Sequence, residues 1–444
     1  MKKITLLLLA ISSLAITHLS AQEQTLENRV ESIVFVIDGN TREPAIRRYV
    51  DIKEGDVFSS EEEMLRIAER EKQDLVNYRV FKNVTMDINE LSRSEDTVNW
   101  RITYGVKDSW TLLPIPYPKY DSNRGFRIGL KTYYDNAFGT MTDAYLGLGM
   151  DIRTNDTTGK MEIGEWVINP AWRRIKLGTM YFDVDFTQRY SEEIYDGGTP
   201  AENYNYGYLQ TTLSIGSIID FFPTDWYYNF RPTFFFRYGY KNIGNPDNVR
   251  VEPFNFSWDH NGGWGRVDWV NNLRTGQNYN LGHSIRLVVD PDTNDFQVIN
   301  DLNLTGTYYL PFALNFNYYG RAMAFASFNG RRSAVGSMLR GVADDSMSGD
   351  FGFVFNSTLG IRFWRLEGIW DAQIHPFFDV GMAIPESGFS PDRDIRYGGG
   401  FDLVLFLDAL PSLVARATIG ADLGQYNWNE WDKYEIIITS SLFY

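Results

Sequence analysis

Polar and apolar residues alternate along most of the chain, and the character of that alternation changes near residue 110. Before it the pattern is mixed. Val30, Ile33, Phe35 and Ile37 predict a strand that runs out at the turn signal Asp38-Gly39-Asn40. Pro44 suits the first position of a short helix, where no N–H partner is needed. Ser59 or Ser60 can cap a second helix whose first turn holds Glu61, Glu62 and Glu63, favourable at the positive end of the helix dipole. Its inner face carries Met64, Ile67, Ala68 and Leu75. Two strands follow, Val84 to Ile88 and Val98 to Val106, separated by the polar turn Ser92 to Asp96. Residues 27–108 therefore read as a small α+β unit in the order strand, helix, helix, strand, strand.

Beyond Thr111 the period is two almost everywhere, and no stretch shows a helical period. In the last segment Ile436, Ile438, Leu442 and Tyr444 share one face, with Glu435, Thr439 and Ser441 on the other. Ala372, Ile374, Phe378, Val380 and Met382 likewise oppose Gln373, His375, Asp379 and Gly381. Such segments run about 10–13 residues, longer than the roughly 5–6 usual in a soluble sandwich and enough to cross a bilayer at a tilt of ~45°. Aromatic residues gather at segment ends, at Phe221-Phe222, Trp226-Tyr227-Tyr228, Tyr308-Tyr309 and Phe443-Tyr444, as the girdles of a transmembrane barrel require. About sixteen segments can be counted, an even number as bacterial barrels use. Their expected starts are Thr111, Arg124, Thr142, Gly159, Ile175, Tyr204, Asn229, Val249, Gln277, Phe296, Ala313, Asp350, Asp371, Tyr397, Ser412 and Lys433, and the stretch from Asn261 to Arg274 has room for one more short strand. In the first of these strands Pro114, Pro116 and Pro118 alternate, so one edge lacks a donor at each of them. Set against the last strand, Tyr434 to Tyr444, that edge makes a weakly bonded seam.

Composition narrows the class. Of 444 residues, 12 are Trp, 27 Tyr and 30 Phe, and a formal charge of −15 with no basic tract argues against nucleic acid as a partner. With no cysteine there is no disulfide framework, thiolate metal site or thiol nucleophile. No stretch past the N-terminus approaches the ~18 apolar residues of a helical membrane span. The slightly negative mean hydropathy fits a barrel whose inward half is polar. Lys2 and Lys3, the apolar run from Ile4 to Ile16 and the small pair Ser20-Ala21 have the layout of a secretory signal, residues 1–21. Export is expected.

The N-terminal unit resembles a POTRA (polypeptide-transport-associated) domain. The matching stations are the strand ending in Gly39-Asn40, the segment Ile52 to Phe58, the run Tyr78-Arg79-Val80-Phe81-Lys82-Asn83-Val84, and the acidic end of the closing strand at Asp108. Further along lie Arg340-Gly341-Val342 in the long segment Asn329 to Asp350, and Phe377-Phe378-Asp379-Val380-Gly381 on the next strand but one. Together with the early turn Asn136-Ala137-Phe138-Gly139, these resemble the outer-membrane assembly superfamily of BamA- and TamA-type barrels and two-partner secretion translocators. The resemblance implies an N-terminal α+β POTRA domain, residues 27–108, followed by an all-β transmembrane barrel of about sixteen antiparallel strands, residues 111–444.

It also implies a site. An Arg-Gly loop folds into the lumen and meets an F-x-D-x-G strand, so Arg340 and Gly341 would face Phe377, Asp379 and Gly381. The alternation independently puts Asp379 on the polar side of its strand, within reach of a bidentate guanidinium. Two residues depart from the family pattern. Val342 replaces an aromatic, leaving the loop tip less to pack with, and Gly360 replaces a glutamate, leaving Asp379 as the main partner of Arg340. A watery surround is expected for this pair.

Enzyme readings find little footing. His260, His283 and His375 are dispersed, no G-x-S-x-G elbow occurs, and Gly398-Gly399-Gly400 has no helix after it to bind phosphate. The expectation is a cofactor-free outer-membrane insertion factor with its POTRA domain in the periplasm. Its implied partners are unfolded outer-membrane or secreted polypeptides, outer-membrane lipids and accessory lipoproteins. The POTRA domain would capture an extended client by strand augmentation, and the seam at Pro114, Pro116, Pro118, Phe443 and Tyr444 would admit it to the membrane. A two-partner type secretion pore and a passive porin-like channel are the alternative readings.

Overall fold

The computed structural model describes residues 26–116, 119–121, 125–154, 161–195, 204–221, 224–243, 254–289, 295–329, 333–343, 346–385, 388–424 and 434–439. The signal segment 1–21, Pro118, Phe443 and Tyr444 lie outside these residues, as do the expected strand starts Arg124, Gly159, Val249 and Lys433.

The N-terminal unit consists of β1 (Glu27–Asp38), α1 (Glu43–Ile46), β2 (Val57–Phe58), α2 (Glu61–Asn77), β3 (Phe81–Arg93) and β4 (Thr97–Asp108). Its mixed sheet has the order β2-β1-β4-β3, with β1 parallel to β4. The two-residue β2 is an element that the sequence pattern does not announce. Alternation along β4 sends Val98, Trp100, Ile102, Tyr104 and Val106 into a core completed by Met64, Ala68 and Leu75 of α2. Ser60 is the cap of α2, its Oγ accepting from the Glu63 N–H at 3.1 Å, while the Glu63 carboxylate takes the Ser59 hydroxyl. Asp108 ties the start of the unit to its end, accepting from the Asn40 N–H at 2.6 Å and the Thr41 N–H at 2.9 Å.

A buried carboxyl lies in this core. Glu71 faces inward on α2, 1% exposed, and accepts from the Tyr104 hydroxyl at 2.6 Å and the Asp51 and Ile52 N–H groups at 2.7 and 2.8 Å. Burial pushes its carboxyl up to about 7, against the opposing effect of those three donors.

The remainder is an antiparallel sheet of sixteen strands. The first is interrupted, β5 (Leu112–Pro116) and β6 (Lys119–Asp121) both pairing with β7 (Gly125–Tyr134). There follow β8 (Asp143–Thr154), β9 (Met161–Leu177), β10 (Met180–Tyr195), β11 (Tyr204–Asp220), β12 (Trp226–Ile243), β13 (Phe254–Val270), β14 (Leu273–Val289), β15 (Phe296–Ala313) and β16 (Phe316–Phe328). A short ribbon, β17 (Ser333–Ala334) with β18 (Ser348–Gly349), lies within the next connection. The sheet resumes with β19 (Phe351–Leu366), β20 (Trp370–Ile384), β21 (Ile395–Leu407), β22 (Leu410–Asp422) and β23 (Tyr434–Thr439). The order of neighbours returns on itself, β23 standing beside β5. Ile436, Ile438, Phe378, Phe401 and Leu403 are exposed on the outside, whereas Gln373, Asp379 and Asp402 are buried on the inside.

Strands β9 to β15 are 16–18 residues long rather than about 10–13. Two boundaries move as a result. Ile175 lies near the end of β9, because the turn comes at Gly178 with φ +63°. The stretch 261–274 holds no additional strand. It contains the end of β13, the start of β14 and a two-residue turn, Asn271-Asn272, with φ of 51° and 61°, as a tight hairpin with right-handed strand twist needs.

Candidate functional site: a loop strapped across the inner wall

The connection between β16 and β19 folds into the lumen. Val335, Leu339, Val342 and Met347 pack there against Val354 of β19 and Ala383 of β20. Val342 is fully buried in this cluster, so replacing the aromatic does not leave the loop tip without packing. Gly381 makes the space for Leu339, since a Cβ on Gly381 would come within 2.8 Å of its Cδ1.

Arg340 is 2% exposed and meets Asp379 twice, through Nε at 2.9 Å and Nη2 at 2.7 Å. Its backbone N–H also donates to Asp379, at 3.0 Å, and its guanidinium lies 3.9 Å from the centre of the Phe377 ring. A second carboxylate is present that sequence reasoning missed. Asp402 on β21 accepts from Arg340 Nη1 at 3.0 Å and is held by the Thr418 hydroxyl at 2.6 Å. Thr358 of β19 accepts from Arg340 Nη2 at 2.9 Å. The expected family glutamate at Gly360 has no counterpart because Asp402 supplies the second charge, and a Cβ at Gly360 would meet the Tyr319 ring at 2.8 Å. Asp379 is 0% and Asp402 2% exposed, so both carboxylates are buried behind the loop, with a small polar cavity beside Asp402.

Flat wall positions let the loop backbone approach. A Cβ on Gly398 would come within 2.0 Å of the Arg340 carbonyl oxygen, and one on Gly420 within 2.9 Å of Gly341 Cα. Gly341 itself has φ +80° and could carry no Cβ, which would lie 2.4 Å from the Ala421 nitrogen. Gly398, first of the triple glycine 398–400, thus bears on loop seating. A glycine run beside an inward Asp was the signal available in the sequence.

At the seam, the Thr111 carbonyl accepts from the Asp135 N–H at 2.9 Å, so odd positions of β5 turn their backbone groups toward β7. Alternation then turns Pro114 and Pro116 toward β23, where each lacks a donor.

The N-terminal unit sits on the short-turn end of the sheet. Arg70 pairs with Asp225 at 2.7 Å, Arg266 with Asp74 at 2.8 Å, and Asn77 donates to Asp268 at 2.8 Å. Arg79 and Met141 also cross the boundary. Arg79, in the left-handed region at φ 58°, reaches into the mouth and stacks over Trp269 at 4.2 Å and Phe406 at 5.8 Å, donating to Asn272 at 3.2 Å. Burial, then the nearby Arg274, push its guanidinium down to about 10. In the other direction Met141, from the turn after β7, is fully buried in the core of the N-terminal unit. The same turn presents Gly139, whose carbonyl accepts from the Arg42 N–H at 2.9 Å, and Asn136, which donates to the Thr41 hydroxyl at 2.6 Å. A cavity of about 30 Å³ separates the Trp269–Phe406 layer from Arg340 and Asp402.

Among solved structures, CdiB from Acinetobacter baumannii matches at a TM-score of 0.59 and 12% identity, covering 93% of this chain and 73% of that one. The fold is similar to that of CdiB. A second CdiB, from Escherichia coli, matches at a TM-score of 0.52 and 11% identity over 94% of this chain and 90% of its own. BamA from Haemophilus ducreyi lacking POTRA domains 1–3 also matches over 92% of this chain and 83% of its own, at 14% identity, but a TM-score of 0.45 carries no weight for the fold. No protein-family model matches the sequence, and no curated protein does.

Proposed function

We propose that this chain is an outer-membrane insertion factor that takes extended polypeptides into the membrane through the seam between β23 and β5, with its N-terminal unit acting as a POTRA domain in the periplasm. The observation that carries the reading is the buried Arg340–Asp379–Asp402 triad, which fixes a luminal loop beside a seam edge that lacks donors at Pro114 and Pro116. A closed lumen with a weak edge suits lateral release better than passive conduction. Client capture falls to the edge of β1. β2 pairs with β1 only at Asn28 and Arg29, which leaves the stretch beyond Ile33 without a strand partner among the described residues on that side. An extended segment can add there through backbone hydrogen bonds. The activity needs no cofactor and no catalytic residue; its partners are unfolded barrel or secreted polypeptides, outer-membrane lipids and accessory lipoproteins.

A second reading is favoured by one observation. Two layers stand in the lumen, the loop and the Arg79–Trp269–Phe406 stack, as would suit a resting polypeptide secretion pore. Depletion in the native cell separates the two. An insertion factor lowers many outer-membrane barrels together, whereas a secretion pore costs the cell one exported protein and leaves its barrels at normal levels.

A further inference from the structure

The loop does more than pair with one strand. Its tip, residues 338–341, crosses five neighbouring strands in order. The Asn356 amide of β19 donates to the Met338 carbonyl at 3.2 Å, and Asp379 of β20 and Asp402 of β21 take the guanidinium. Gly420 of β22 lies under Gly341. The crossing ends on β23, where the Glu435 carboxylate accepts from the Gly341 N–H at 2.6 Å. Register makes this end point a matter of construction, because Gly400, Gly420 and Glu435 stand side by side on adjacent strands. Gly420, without a side chain, leaves room for the loop backbone at Gly341, and Glu435 beside it supplies the acceptor.

We infer that Glu435 is a positioning residue that fastens the last strand to the luminal loop, so that seating of the loop sets how firmly β23 is held at the seam. β23 is described over six residues, paired with β22 on one side and standing beside β5, the strand of Pro114 and Pro116, on the other. On a strand whose far edge meets two missing donors, a charge-assisted hydrogen bond is a large share of the restraint. Displacing the loop takes Gly341 away from Glu435 and loosens the strand; moving the strand outward takes Glu435 from Gly341 and loosens the loop. The inference rests on the proposed function only in giving the seam a purpose, and its test needs no client.

Amide hydrogen exchange on the full chain folded in detergent reads both ends at once. Glu435→Ala is expected to speed exchange about tenfold, the size of one charged hydrogen bond, in 434–439 and in 336–342 together. Glu435→Gln keeps an acceptor oxygen but not the charge, and should fall between the wild type and the alanine variant. Arg340→Ala, which unseats the loop at its other end, should also speed exchange in 434–439. If the alanine variant does not assemble, Glu435→Asp, one methylene shorter, is read in the same way. Faster exchange in the last strand alone, in neither segment, or a last strand still protected in Arg340→Ala overturns the inference, while any effect on clients bears on the proposed function instead.

Discussion

Arg340 stands between two buried carboxylates, and its removal strands both. Arg340→Ala takes away the guanidinium that Asp379 and Asp402 share, at an expected cost of about 3–5 kcal/mol, as when one partner of a buried ion pair is removed. Arg340→Lys should recover little, because an ammonium cannot make the two parallel bonds to Asp379. Adding Asp379→Ala to Arg340→Ala should cost less than the sum of the two single changes, since the shared contact is lost once and one stranded charge is removed. Protease cleavage within 333–350, with unfolding midpoints, checks all three. Glu71 supplies the other prediction at this scale. Its folded value of about 7 lies above the ordinary 4.5, so its contribution is fully present below about pH 4.5 and is lost as pH rises toward 7. Relative to Glu71→Gln, the wild-type N-terminal unit should therefore gain stability between pH 8 and 4.5, by roughly 3 kcal/mol at most. Urea midpoints of the two proteins across that range test it; parallel pH profiles would count against it.

At the scale of elements, alternation made the strands legible because each wall residue sees either the lumen or the outside, and the period needs only neighbours in sequence. Caps were legible for the same local reason, as at Ser60 before three glutamates, whereas the left-handed turn Asn271-Asn272 was passed over in a stretch expected to have room for another strand. Asp379 could be placed on the inner face from its own strand. Asp402 and Glu435 could be placed there too, but nothing local tells an inward carboxylate that meets the loop from one that meets water. That depends on which strands the loop crosses, and the register of Gly400, Gly420 and Glu435 is set by pairings far apart in sequence. The glycine wall positions give a direct test. Gly398→Ala puts a methyl group into the Arg340 carbonyl and should expose the loop to protease as Arg340→Ala does, whereas Gly262→Ala, with open space around it, should be silent. Equal behaviour of the two alanine variants would remove these positions from this account.

For the whole molecule, the arrangement that matters is the seating of one unit on the other. Arg79 holds a backbone conformation that favours glycine, and its guanidinium fills the mouth. Arg79→Gly relieves the backbone and empties the stack, so the N-terminal unit should fold at least as well while the lumen conducts more readily. Planar-bilayer recording tests this, and unchanged conductance would show that the Trp269–Phe406 layer is not the barrier. The sequence could suggest two units at the break near residue 110, but not that they interlock, because turn residues such as Met141 and Arg79 look locally like any others.

That interlock sets an order of events in the making of the protein. Met141 is encoded with the sheet and buried in the other unit's core. Losing a buried methionine costs about 2–5 kcal/mol, so a nascent N-terminal unit remains incomplete by about that much until the turn after β7 is delivered to it. Copies whose sheet never forms carry a loosened, cleavable front end, and the cell's housekeeping proteases can tell a finished molecule from a failed one without touching the membrane.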